Sequence, residues 1–285
     1  IILLLLTFFS KAIFLNRPVT DWNSSDQASI LSTATYIYTY GSELFFQPRI
    51  QVFDDIESTK KLVDSEIPIF SALIALSWNL FPYSETMARL ISILFSLLGT
   101  FYFFKIANRF FKNLGFSAFV TAWYILSPMN WYFQQSILAE VLMVNFILGA
   151  VYHFLEWCDR SKILDMSLLI FFSSFAILTK VSSVFIVPYF VFELIRRERL
   201  KAVMKISNWI VIVLSVVPIF IWSHFSAQNI DSIVGSNHTF SHLLISSGDL
   251  DTYFKIDLWN RLFQSLLEFS LLPVGCIFFL VSFQF

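Results

Sequence analysis

The stretch IPIFSALIALSWNLFPYS, residues 67–84, decides how this chain threads a membrane. Its apolar run, 67–82, is short for a span, because a helix needs about 20 predominantly apolar residues to cross a bilayer. Ser71, Ser77, Trp78 and Asn79 interrupt it with groups suited to the boundary between lipid and water. As a helix lying in the interface, the segment leaves the chain on the side where it started. As a span, it moves everything before it to the opposite side.

The surroundings are built for hydrocarbon. Hydrophobic residues make up 57% of the 285 residues, aromatic residues 19% and charged residues only 14%, and 35 residues are Phe. Soluble domains carry roughly a quarter charged residues. Long apolar runs with rare charges therefore specify an all-α polytopic membrane protein, since helices satisfy their own backbone in lipid. A net charge of −1 supplies no field for nucleic acid, which is excluded as a partner. Cys158 and Cys276 fall at or inside membrane segments and form no disulfide framework.

Immediately before the deciding stretch lies a polar, acid-rich loop, 16–66. It carries Asp21, Asp26, Glu43, Asp54, Asp55, Glu57, Asp64 and Glu66 against Arg17, Arg49, Lys60 and Lys61. The chain begins at Ile1 with IILLLLTFF and ends in CIFFLVSFQF, so both ends read as cuts in a longer protein. A cleaved signal peptide is the competing account of the start. No small-residue cleavage site follows the run, however, and Lys11 and Arg17 flank its end.

Candidate spans are 1–15, 88–108, 115–129, 138–156, 163–179, 181–195, 206–224 and 266–284, about eight transmembrane helices beside the interfacial one. Lys105, Arg109 and Lys112 follow the second span, and Arg160 and Lys162 the fourth. Arg196, Arg197, Arg199, Lys201 and Lys205 follow the sixth. These basic connections alternate, so the positive-inside rule puts them all in the cytoplasm. With 67–82 lying flat, the acidic loop is external, together with 83–87, 130–137, the 179–181 turn and 225–265. The whole chain, 1–285, then reads as one transmembrane domain. Its first external loop is 16–87, holding the interfacial helix, and its second is 225–265.

Several external residues carry chemistry worth weighing. Asp26, in DQASILSTATYIYTYG, is either a first-turn acid complementing the helix dipole or a general base just above the bilayer. Asp21 is the nearby alternative base. Glu140, in WYFQQSILAEVLMVNF, is either a helix-end charge reaching water or a functional acid, since ionisable groups in spans are expensive. Arg89 either pairs with Glu85 one turn before it or holds a phosphate, which matches a guanidinium fork. Lys180, in ILTKVSSVFIVP, either snorkels or binds phosphate, because a lone external ammonium breaks the positive-inside pattern. Glu66 beside Pro68 is ordinary helix-start chemistry. His224, His238 and His242 fit no metal-ligand spacing. A divalent metal is compatible with the acids but nothing in their spacing asks for one. No GxGxxG, Walker A, HExxH, GxSxG or CxxC pattern occurs, so an activated donor is better supplied from the lipid phase.

The order of these motifs resembles the GT-C superfamily of membrane glycosyltransferases. Nearest are the dolichyl-phosphate-mannose-protein mannosyltransferase and aminoarabinose-transferase types, within which the RgtA/B/C/D-like bacterial branch fits best. The motifs are SSDQASI with Asp26, SEIPIFSALIALSWNLF with Glu66, and ETMARLISILFSLLGTFYFFKIANRFF with Arg89. YILSPMNWYFQQSILAEVLM with Glu140 and LTKVSSVFIVP with Lys180 complete the set. The resemblance runs over residues 15–200. Many relatives have paired acids where Asp26 is followed by Gln27, and Gln135 stands where relatives often place Arg.

The resemblance implies sugar transfer from a polyprenyl-phosphate-linked donor to a lipid, glycan or protein acceptor, with no cofactor required. Asp26 would be the base or acceptor-positioner, with Asp21 as its alternative. Arg89 and Lys180 would hold the lipid phosphate, Glu140 would orient donor or acceptor, and Glu66 and Gln135 would contribute to substrate binding. The expected location is a bacterial inner membrane, among its lipids, with the site facing outside. Two other functions remain open: a flippase of lipid-linked sugars, and a non-catalytic assembly subunit. A flippase would show inverted repeats and midplane charges, and neither an obvious repeat nor mid-span acid pairs stand out.

Overall fold

In the computed structural model the described residues are 1–13, 15–19, 23–41, 49–50, 61–62, 67–198 and 204–229. The deciding stretch folds as a helix of 12 residues, Ile69–Leu80. At 1.5 Å per residue that is about 18 Å, well short of the ~30 Å hydrocarbon core. This helix, α3, lies beside α2 (Ser24–Tyr40) and runs in the same direction. Ser71 Oγ donates to the Ile30 carbonyl at 3.0 Å, and further along Trp78 meets Tyr38 edge-on, with ring centroids 6.0 Å apart.

The remaining helices follow apolar runs and stop where capping chemistry stops them. They are α1 (Ile2–Ala12), α4 (Glu85–Phe111), α5 (Leu114–Leu126), α6 (Pro128–Phe133), α7 (Ala139–Arg160), α8 (Ile163–Thr179), α9 (Ile186–Glu198) and α10 (Ile206–Asn229). Ser84 caps α4 by accepting from the Met87 amide at 3.3 Å, and Lys112 closes it in the left-handed region at φ 51°. Asn113 caps α5 by accepting from the Phe116 amide at 3.0 Å. Among the described residues, three helices, Glu85–Phe111, Ala139–Arg160 and Ile206–His224, are long and apolar enough to cross a membrane by themselves. Large apolar side chains such as Leu94, Phe101, Phe119 and Ile221 face outward, as lipid-facing surface requires.

Two spans differ in local structure from the sequence reading. The 115–129 span ends at Leu126, because Ser127 is held extended before Pro128, which opens α6 at its first position. The 181–195 span opens with a 3-10 turn, Val181–Phe185, before α9 begins. Span 266–284 lies outside the described residues. Among the described residues, strand occurs as a two-residue antiparallel ladder, β1 (Arg49–Ile50) with β2 (Lys61–Leu62), pairing Arg49 with Leu62 and Ile50 with Lys61.

The bundle is organised around α7. It packs antiparallel on α8 and parallel on α4. At Gly99 a Cβ would stand 1.6 Å from Asn145 Oδ1, so only a hydrogen there lets α4 and α7 approach this closely. Buried Phe154, Phe190, Leu142 and Leu169 fill the interior. One end of the bundle gathers charge. Arg109 pairs with Glu156 at 2.9 Å and with Asp159, and Arg160 reaches Glu156 at 3.1 Å. Arg197 reaches Asp159 at 2.7 Å and Glu193 at 2.6 Å. The basic connections after α4, α7 and α9 therefore share one end, as their alternation along the chain requires.

Candidate active site

At the opposite end, four segments meet around a cavity of about 300 Å³. Its wall includes Asp26, Ser29 and Thr33 of α2, Ile67, Pro68 and Ser71 at the start of α3, Glu140 at the start of α7, and Lys180 after α8. The volume sits at the small end of the range for ligand pockets, roughly 300–1,000 Å³.

Asp26 owes its place to the first turn of α2. Asn23 is the N-cap residue and makes no side-chain cap bond, so the acid near the helix start faces the partial positive charge of the dipole. Its carboxylate is also exposed toward the cavity. The same residue is thus a helix-start acid and a lining residue of the cavity.

Glu140 and Lys180 come together from elements 40 residues apart. Glu140 is in the first turn of α7. Lys180 follows the last residue of α8 in extended backbone, φ −155° and ψ 117°, which turns its side chain back across the antiparallel partner. The ammonium donates to Glu140 Oε1, and the two side chains are 30% and 34% exposed. Lys180 is therefore held by a carboxylate at the cavity.

The wall behind Glu140 is the connection 134–138, and four side chains fasten it. Gln27 Oε1 accepts from the Ile137 amide at 3.0 Å. Ser92 Oγ donates to the Ser136 carbonyl at 2.8 Å. Arg89 Nη1 donates to the Gln135 carbonyl at 3.3 Å. Asn145 Nδ2 donates to Gln134 Oε1 at 2.9 Å. The Tyr132 hydroxyl accepts from the Asn23 amide at 3.4 Å, tying the same region to the start of α2.

Of the residues picked from the sequence, the cavity brings together Asp26, Glu140 and Lys180. Arg89 does not form the pair with Glu85. Glu85 is exposed at the first turn of α4, whereas Arg89, only 3% exposed, turns inward to the Gln135 carbonyl behind the wall. Gln135 is buried with it. Asp21 and Glu66 lie outside the described residues, as do His238 and His242, although Ile67 and Pro68, next after Glu66, form part of the wall. The sequence reading noted Gln27 only as a departure from paired acids. Its signal was spacing: Gln27, Ala34 and Ile37 share the buried stripe of α2, so an amide there had to find an internal partner. Among the described residues, Asp26 and Glu140 are the carboxylates on the cavity wall.

A polytopic helical membrane protein with a polar cavity at one end of its bundle is the class that fold and site define. The chain belongs to the dolichyl-phosphate-mannose-protein mannosyltransferase family, whose model matches residues 65–222. Glu140 and Lys180 fall within the matched stretch and Asp26 before it. No curated protein matches the chain. Among solved structures, the crystal structure of ArnT from Cupriavidus metallidurans bound to undecaprenyl phosphate is similar in fold, with a TM-score of 0.59 and 17% identity. The similarity covers 81% of this chain and 41% of that one, so the chain spans about two fifths of its length.

Proposed function

We propose that the protein is a glycosyltransferase that moves a sugar from a polyprenyl-phosphate-linked donor to an acceptor hydroxyl at the non-cytoplasmic face of its membrane. The observation that carries this reading is the cavity in which one exposed carboxylate, Asp26, faces an acid–base pair, Glu140 and Lys180. Family membership and the likeness to a protein that binds undecaprenyl phosphate support it.

The chemistry assigns a role to each group. The acceptor oxygen attacks the anomeric carbon while Asp26 takes the hydroxyl proton. The bond from that carbon to the phosphate oxygen breaks, and the electron pair leaves on the phosphate. Lys180 compensates the charge that develops there. Attack opposite the leaving group inverts the anomeric centre. Glu140 orients a substrate hydroxyl. Arg89 and the buried Gln135 act from behind, in the connection that leads to Glu140; Asp21 is the alternative base, and Glu66 a candidate for substrate contact. The reaction so described needs no step through a metal.

Mass spectrometry of lipids, glycans and envelope polymers from a deletion strain tests the reading. The strain is expected to lack one sugar on one acceptor and to regain it on complementation. An unchanged sugar inventory overturns the reading.

A further inference from the structure

The cavity wall holds one cation among its described residues, Lys180, and Glu140 already neutralises it. Any phosphate that enters has to deal with that carboxylate. An ammonium has three donors and can touch two anions at once. The carboxylate and the phosphate would then stand a few ångströms apart at a partly dried surface, where like charges repel strongly. Both side chains of the pair are about one-third exposed, so the pair is free to open without dismantling the core. Glu140 also has somewhere to go. It lies in the first turn of α7, where the helix dipole stabilises a carboxylate that has lost its cation, and the hydroxyl-bearing residues Ser29 and Thr33 line the same cavity.

We propose that the Glu140–Lys180 ion pair is an exchangeable latch. A phosphate ester entering the cavity takes Lys180, and the released Glu140 carboxylate becomes a hydrogen-bond acceptor for the hydroxyls of the second substrate. The proposal rests on the phosphate-donor reading above and adds an order to it: the site for the acceptor forms only after the phosphate has bound. Lys180 touches the phosphate and Glu140 touches the acceptor, and each is masked by the other until the exchange occurs.

The test is a binding thermodynamic cycle on the purified full-length protein in detergent, with undecaprenyl phosphate, undecaprenol and inorganic phosphate as probes. Removing the counter-charge with Glu140→Gln is expected to tighten undecaprenyl phosphate binding roughly fivefold, the scale of a partly exposed ion pair. Lys180→Ala is expected to lose most of the affinity, and Glu140→Gln is expected to add nothing in the Lys180→Ala background. Undecaprenol, which lacks the anion, should bind all variants alike. Unchanged or weaker binding of undecaprenyl phosphate to Glu140→Gln overturns the latch, and so does a gain that persists without Lys180. If only inorganic phosphate binds and shows the same cycle, the exchange stands and the lipid-donor reading fails. Lys180→Arg guards against misfolding. It keeps the charge and is expected to retain both binding and the response to Glu140→Gln, and loss of that response counts against the latch.

Discussion

Gln27 Oε1 accepts a hydrogen bond from the Ile137 amide at 3.0 Å, across 110 residues of chain. The amide stands next to Asp26 in sequence, and the residue it holds is three positions before Glu140. The bond therefore sets the spacing between the two cavity carboxylates. Truncation by Gln27→Ala leaves the Ile137 N–H buried without that acceptor, which costs about 1–3 kcal/mol. A lower melting temperature of the solubilised protein and reduced transfer are expected together. Equal melting temperatures for the wild type and Gln27→Ala would show that the bond does not hold the wall.

Arg109 joins the ends of α4 and α7 through Glu156 and Asp159. Glu156 is only 12% exposed, whereas Asp159 is 45% exposed and better solvated. Arg109→Ala is expected to destabilise the bundle by about 1–2 kcal/mol, between the limits for exposed and buried pairs. Most of that loss should remain at high salt, because Glu156 is shielded from solvent ions. Thermal unfolding at low and high ionic strength measures it, and a loss abolished by salt would place the pair at the open surface.

The two ends of the bundle should lie on opposite sides of the membrane. In a variant with Cys158 and Cys276 replaced by Ser, Asn79→Cys is expected to react with a membrane-impermeant maleimide on intact cells. Lys162→Cys, at the charged end, is expected to react only after the cells are opened. The reverse pattern would invert the topology and move the cavity to the cytoplasm.

Much of the fold was legible because lipid imposes a simple rule on helices. Apolar runs with charges at alternate ends gave the order of the spans, and the short run 67–82 folds as a helix of 12 residues within those bounds. The span read as 115–129 ran past Pro128, because that stretch is apolar by composition, whereas the proline ends one helix and opens the next. The cavity was harder to read. Asp26, Glu140 and Lys180 each carried a local signal, but nothing local says that Lys180 turns back to Glu140, because that contact depends on how α7 packs against α8. Arg89 shows how burial decides between two readings that spacing leaves open. Its spacing from Glu85 fits a surface pair, and burial against the 134–138 connection overrides it. Gln27 was underweighted because an amide beside an acid looks like a lost carboxylate, whereas its position on the buried stripe gives it a structural task.

Asp26 is proposed as the base of the glycosyl transfer, and one substitution tests that role. Membranes carrying the wild type or Asp26→Asn, at equal protein levels, are to be incubated with the acceptor fraction and a radiolabelled polyprenyl-phosphate sugar identified from the deletion strain. Loss of a general base typically costs about 10²- to 10⁴-fold in rate, so Asp26→Asn is expected to transfer sugar at no more than about one hundredth of the wild-type rate while still binding undecaprenyl phosphate. Transfer by Asp26→Asn at the wild-type rate would contradict the account and turn attention to Asp21.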